Sequence, residues 1–301
     1  MYLNNEELYN LISLDFEKNL SLLKDKPEET IDSSLKALGF AAIGLSKSVA
    51  MAAKHPLPEL SDKQKETLFD LIKQRLDGTP LAYITARQNF MDIELLCDGR
   101  ALIPRKETEI LGQKALQISL ETAKEKQKVN VIDVCCGSGN LSLAIASYNS
   151  NTYVNATDLS QEAVDLTQEN ISFLQLNHRV NATQGDLFSA FETKEYYEKT
   201  DLIVCNPPYI SSLNVSKMDA EISNYEPVLA FDGGMIGVNL IHKLISDAPK
   251  FLTPSGWLVF EVGVGQGSFI KRSCERSQFF KKIESVFDDS GNIRVIAVQK
   301  K

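Results

Sequence analysis

Asn206-Pro207-Pro208-Tyr209 follows directly on an apolar run, Leu202-Ile203-Val204-Cys205. A short apolar run bounded by turn residues reads as a buried strand, and the end of such a strand is where an open α/β sheet holds its ligands. These residue types suit the capture of a planar amide or amino nitrogen. The Asn206 side-chain oxygen accepts one N–H and the Pro207 carbonyl accepts the other. The two prolines stiffen the turn, and Tyr209 offers a flat face to the planar group. A nitrogen held in this way presents its lone pair to an electrophilic methyl carbon. No strong base is required when the proton leaves after transfer, from a nitrogen that has become cationic. Such catalysis rests on positioning, worth up to about 7–11 kcal/mol in the best oriented cases.

The methyl donor has its own candidate site. In "VNVIDVCCGSGN" a strand-like run ends at Asp133-Val134 and turns through Cys135, Cys136, Gly137, Ser138 and Gly139 into a helical stretch. Glycines there allow a sharp turn and a close approach of ligand to backbone. Asp158 stands roughly 20 residues further on, at the end of a second strand, where its carboxylate can accept from both hydroxyls of a ribose. Leu141-Ser142 occupies the place of the third glycine of a dinucleotide fingerprint, which disfavours a pyrophosphate. Asp186, in "QGDLF", is a third acid at a strand end and can accept from an exocyclic adenine amine. Three acids suit a cationic, phosphate-free nucleoside, and S-adenosylmethionine fits that description. Each feature has a plainer explanation alone: a rigid turn, a structural glycine, a helix-capping Asp in "DLSQEA". Together they point to methyl transfer.

The elements that must position these residues are legible in outline. Residues 1–78 read as a helical bundle. "KETLFDLIKQRL" sets Leu68, Leu71, Ile72 and Leu76 on one face, Pro56 and Pro58 interrupt, and Ser61 can cap the next helix. Residues 79–104 carry Gly and Pro punctuation, and "LAYIT" and "IELLC" are expected as a hairpin or two linker strands. From 105 to 301, strand-like and helical stretches alternate, and the chain closes on two strands in "FKKIESVFDDSGNIRVIAVQK". The expected class is α/β: a doubly wound, mainly parallel, seven-stranded sheet with an N-terminal helical domain.

Composition limits the alternatives. The 301 residues carry 32 basic and 40 acidic side chains, a net charge of −8. That balance weighs against broad nucleic-acid binding, which needs many phosphates neutralised. "KEKQKVN" and "FFKK" are too short to form a basic groove. The five cysteines, Cys97, Cys135, Cys136, Cys205 and Cys274, are an odd number without C-x-x-C spacing. The three histidines, His55, His178 and His242, have no metal-ligand spacing, so no metal is expected. There is no secretory signal at the N-terminus and no apolar run that spans a bilayer. The expectation is a cytoplasmic monomer with reduced thiols.

The chain resembles the class I S-adenosylmethionine-dependent methyltransferases of the "NPPY" amino-group type, and more closely the HemK-like release-factor glutamine methyltransferases. The resemblance covers most of the chain. It rests on "DGTPLAYITARQNF", "LIPRKETE", "VIDVCCGSGNLSLAIA", "DLIVCNPPYI", "EISNYEPVLAFDGGMIGVNLIHKLI", "FEVGVGQG" and "DDSGNIRVIAV". It implies a Rossmann-like fold and methylation of the side-chain amide nitrogen of the glutamine in the Gly-Gly-Gln motif of bacterial peptide-chain release factors. It implies that Asn206, Pro207, Pro208 and Tyr209 hold that amide. It also implies cofactor contacts from Cys135 to Gly139 with Asp158, Leu187 and Asn206, and from Arg105, Thr108 and Glu109 near the methionine end. Asp133, Leu159 and Asp186, at the same strand ends, are expected to line that site. The helical domain would grip the release factor.

Three departures from that family pattern stand out. Ala86 and Asp92 replace usual glycines, Lys106 replaces a proline of "PRPET", and Cys135-Cys136 replace Gly-Thr of the cofactor loop. None removes a group the chemistry needs, but they leave the acceptor less fixed than the reaction. A small metabolite, or another protein amide or amine, is the alternative acceptor on the same fold. A DNA or RNA amino-group methyltransferase would need a basic groove or a recognition domain. A non-catalytic cofactor binder would show a broken active-site loop.

Overall fold

The computed structural model describes residues 4–23, 25–212, 218–234 and 237–301. Residues 1–3 of the N-terminal stretch and residues 235–236 of "FDGGMIGVN" therefore lie outside the described residues. The chain begins with α1 (Asn5–Asn19), α2 (Ile31–Ala42), α3 (Val49–Ala53), α4 (Asp62–Leu76), α5 (Leu81–Thr85), β1 (Arg87–Phe90) and β2 (Ile93–Leu96). It continues with α6 (Glu109–Ala123), β3 (Val129–Val134), α7 (Asn140–Tyr148), β4 (Thr152–Asp158), α8 (Gln161–Phe173), β5 (Val180–Gln184) and β6 (Thr200–Cys205). Last come α9 (Ala220–Tyr225), α10 (Asn239–Asp247), β7 (Leu252–Glu261), α11 (Gly267–Glu275), β8 (Phe280–Phe287) and β9 (Ile293–Lys300). These elements form two compact units. The first holds Met1–Gly99, Ile103–Lys106 and Asp219–Glu226; the second holds Arg100–Leu102, Glu107–Met218 and Pro227–Lys301.

In the first unit, local chemistry starts the helices and an apolar face packs them. Asn4 Oδ1 accepts from the Glu7 amide at 2.9 Å and Glu7 returns the bond to the Asn4 amide at 3.2 Å, a reciprocal cap that satisfies two orphan donors of α1. Leu8, Ile12 and Phe16, at helical spacing, are buried with Leu35 and Leu38 of α2 and Leu68 and Ile72 of α4. One expected strand is absent. "LAYIT" forms α5 instead, because Pro80 sets a helical φ at its start and its carbonyl accepts from Tyr83 and Ile84 at 3.0 and 3.1 Å. Ile93–Leu96 does form a strand, and its partner is Arg87–Phe90.

The first unit also buries an ion-pair cluster, to which α9 contributes. Arg75, only 1% exposed, meets Glu29 at 2.9 Å and Glu221 at 2.7 Å, and Lys26 meets Glu221 at 2.6 Å. Burial pushes the Glu221 carboxyl up, but Lys26 and Arg75 outweigh it and hold the group below its ordinary range. Beside this cluster Arg105 pairs with Glu226 at 2.5 Å and with Asp25 at 3.3 Å, and Glu226 also accepts from the Ile103 amide at 3.0 Å. Removing one partner of such a buried pair strands the other charge.

Three of the departing residues have a shared backbone signature. Ala86, Asp92 and Cys135, which replace usual glycines, have φ of 52°, 61° and 60°. The left-handed backbone that glycine serves is retained without the glycine, at a cost of about 1 kcal/mol for a residue with a Cβ. Restoring glycine at Ala86 or Cys135 is expected to raise stability by ~0.5–1 kcal/mol each, as a higher urea midpoint at unchanged slope. At Asp92 the gain is expected to be smaller, because Asp tolerates this region better.

In the second unit the seven described strands form one sheet in the order β5-β4-β3-β6-β7-β9-β8. The pairs from β5 to β7 are parallel, and β9 runs antiparallel between β7 and β8. Order reverses at β3, beside β6, which is the switch point where such sheets open a ligand crevice. Every residue of β6 is buried, as expected for a strand covered on both faces. Among the described residues, no helix is long and apolar enough to cross a membrane.

Candidate active site

The cofactor loop leaves β3 at Val134 and enters α7 through left-handed backbone at Cys135, Gly137 and Gly139. A Cβ on Gly139 would stand 2.8 Å from Thr167 Cγ2, so only glycine lets α8 pack so closely. Thr167 fastens the loop by donating to the Gly137 carbonyl at 2.7 Å, and Asn170 Nδ2 donates to the Ser138 carbonyl at 3.1 Å. The Gly137 and Ser160 amides both donate to the Asp158 carboxylate at 2.9 Å. A carboxylate has about four lone-pair sites, so Asp158 can still accept ribose hydroxyls. Burial raises its carboxyl while those backbone donors pull it back. Cys136 is buried, which pushes its thiol well up and leaves it inert.

Asp133 is the most telling residue of this end. It is fully buried at the tip of β3. Its Oδ2 accepts from the Ser142 amide at 3.1 Å and the Ser142 hydroxyl at 2.6 Å, while Oδ1 has no hydrogen-bond partner. Burial pushes its carboxyl up to about 7, with Ser142 pulling down and Asp158 pushing further up. We propose that this orphaned acid serves the cationic methionine end of S-adenosylmethionine. In the free protein this shift makes stability fall as pH rises from the ordinary carboxylate range through about 7. Holding a cation requires the ionised form, so binding releases a proton below that pH. Affinity for S-adenosylmethionine is expected to weaken about tenfold from pH 8 to pH 6. Calorimetry in two buffers checks this, and Asp133→Asn should flatten the dependence.

Leu187 (φ 50°) is buried after β5, whereas Leu159 is exposed. Asp186 is also exposed and pairs with Lys243 at 3.0 Å. Glu109 is buried in the first turn of α6. Arg105 belongs to the first unit, its guanidinium committed to Glu226, Asp25 and the Ile103 carbonyl.

The acceptor loop follows β6. Asn206 Nδ2 donates to Thr108 Oγ1 at 3.3 Å. That bond fixes which way the amide faces and leaves its oxygen to accept a substrate N–H. The Tyr209 hydroxyl donates to Glu261 Oε1 at 2.8 Å. Behind the loop, "FDGG" pairs with it as a short parallel bridge. The Ile210 amide donates to the Phe231 carbonyl at 3.0 Å, the Gly233 amide to the Ile210 carbonyl at 2.8 Å, and the Ser212 amide to the Gly234 carbonyl at 3.1 Å. Gln266 ties the loop from a third side. Its Nε2 donates to the Tyr209 carbonyl at 3.0 Å and its Oε1 accepts from the Gly263 amide at 3.0 Å. Gln266 and Arg294 were not singled out by the sequence. The one local signal was "FEVGVGQG", a strand that ends in an acid and glycines rather than in apolar residues.

Comparison with known proteins identifies the family and the fold. A family model described as "Methyltransferase small domain" matches residues 112–238. The release factor glutamine methyltransferase of Thermodesulfovibrio yellowstonii is 34% identical over 249 residues, 81% of this chain and 84% of that protein. Its counterparts from Clostridium acetobutylicum (33% identical, 79% and 81% covered) and Xylella fastidiosa (37% identical, 68% and 71% covered) are similar. In structure, the human Mettl16 catalytic domain superposes with a TM-score of 0.52 at 13% identity, covering 79% of this chain and 82% of that one, which speaks to fold alone. With identity above 30% over most of both lengths, the chain belongs to the release factor glutamine methyltransferase family.

Proposed function

We propose that this enzyme transfers a methyl group from S-adenosylmethionine to the side-chain amide nitrogen (N5) of the glutamine in the Gly-Gly-Gln motif of a peptide-chain release factor. The observation that carries the reading is Asn206, at the end of β6, with its amide nitrogen held by Thr108 and its oxygen left to accept. Asn206 Oδ1 and the Pro207 carbonyl take the two N–H groups of the glutamine amide. Pro208 stiffens the turn, and the Tyr209 ring lies against the amide plane. The bound donor supplies a methyl carbon on a sulfonium. Asp133, Asp158, Asp186 and the backbone from Cys135 to Gly139 hold it, with Leu159 and Leu187 flanking the adenine and Thr108 and Glu109 near the methionine end. For Arg105, the buried pair with Glu226 supports a framework role. The acidic balance of the chain favours a protein acceptor over a nucleic acid.

The test is transfer of labelled methyl from S-adenosylmethionine to a bacterial release factor. A matching release factor with the motif glutamine changed to alanine, and free glutamine amides as small acceptors, run in parallel. Label on the unaltered release factor alone supports the proposal. Equal label on the altered factor, or transfer only to the small amides, overturns it.

A further inference from the structure

We propose that Glu261 is the positioning residue of the acceptor loop, acting through the Tyr209 hydroxyl and braced by Arg294. This rests on the reading that residues 206–209 hold the acceptor amide. Phe260 pairs with Cys205 across β7 and β6, so Glu261 ends its strand beside Asn206. It is 1% exposed. Its Oε1 takes the Tyr209 hydroxyl at 2.8 Å, and Arg294 Nη2 stands 3.3 Å from both that hydroxyl and that oxygen. Arg294 reaches on to Glu107 at 3.2 Å. Thr108, which holds the Asn206 amide, also lies against the Glu261 carboxylate. One buried acid therefore touches the partners of both ends of the loop.

Stability alone does not account for this arrangement. Glu261 Oε2 and Arg294 Nε are both buried without a hydrogen-bond partner. A buried ionic cluster that is incompletely satisfied is worse for folding than apolar packing, and an apolar strand end would cost nothing. The stacking face of Tyr209 does not need its hydroxyl, yet the hydroxyl is pinned. What the cluster provides is a fixed ring angle and a fixed Asn206 amide, both required by an acceptor that must be aligned within a fraction of an ångström.

The experiment compares Glu261→Gln, Tyr209→Phe and the double variant. It measures kcat and KM with release factor, S-adenosylmethionine affinity by calorimetry, and hydrogen exchange of the Ile210 and Ser212 amides. The expected result is a loss of roughly tenfold in kcat for each single variant and little further loss in the double variant. Cofactor affinity should stay within about twofold, and exchange should quicken roughly tenfold at both amides. Unchanged kcat in Glu261→Gln with unchanged exchange overturns the proposal, and so do losses that multiply in the double variant. Should Glu261→Gln not fold, Tyr209→Phe decides alone, since it removes one oxygen and keeps the ring. Should the unaltered enzyme transfer nothing to the release factor, the functional reading fails by itself. The exchange rates then decide whether Glu261 positions the loop.

Discussion

Asn206→Ala lowers kcat by about 10²–10³-fold while leaving the fold and the thermal midpoint nearly unchanged. The side chain is half-exposed at the strand end, so truncation opens no core cavity. What is lost is the side-chain acceptor proposed for the substrate amide, together with the bond to Thr108. Without it the amide nitrogen is held by one N–H only and rotates away from the methyl carbon. Asn206→Asp offers a sharper version. It keeps an acceptor of the same shape but cannot donate to Thr108, so it is expected to retain part of the activity. Steady-state kinetics with release factor and a thermal melt of each variant check both statements. A wild-type kcat in Asn206→Ala would remove the loop from the chemistry.

Gly237→Ala is expected to damage both stability and turnover. Gly237 has φ 71°, and a Cβ built there stands 2.4 Å from the Tyr209 carbonyl oxygen and 3.2 Å from Gln266 Nε2. The neighbour that must give way is backbone, not the tip of a flexible side chain. The left-handed conformation costs about 1–2 kcal/mol and the clash about 1–3 kcal/mol more, so a loss of ~2–5 kcal/mol in urea unfolding is expected. The displaced atom is the carbonyl of the acceptor loop itself, so kcat should fall about 10²-fold even where the protein remains folded, the effect of an ångström of misplacement. Gly233 is under the same constraint from the Pro208 carbonyl, at 2.6 Å. A substitution at Gly291, with φ 80° but open space around it, makes the control. It should share the backbone cost and spare the turnover.

The sheet was readable from the sequence because its central parallel strands, β3 and β6, are buried at nearly every residue and so appear as compact runs between helical stretches. The acceptor loop was readable because the two prolines of Asn-Pro-Pro-Tyr cannot continue a central strand. Asp133 and Asp158 stood out as acids at the ends of such runs. The rest escaped for a physical reason: its partners are distant in the chain. Glu261 meets Arg294 and Tyr209, and Gln266 meets the Tyr209 carbonyl, and no local pattern records such pairings. Glu226 closes on Arg105 and the Ile103 amide, which an Arg read by motif position alone does not reveal. "LAYIT" misled because β-branched and aromatic residues favour strands only on a pleated surface. Here Pro80 begins a helical turn before any strand partner is reached. The positive φ at Ala86, Asp92 and Cys135 was hidden by the residue types themselves, since none is glycine.

The most direct measurement is tandem mass spectrometry of a release factor after incubation with the purified enzyme and S-adenosylmethionine. The account predicts a gain of one methyl group, located on the side-chain amide of the Gly-Gly-Gln glutamine and missing when Asn206→Ala is used. A methyl on any other residue, or none while calorimetry shows the cofactor bound, would contradict it.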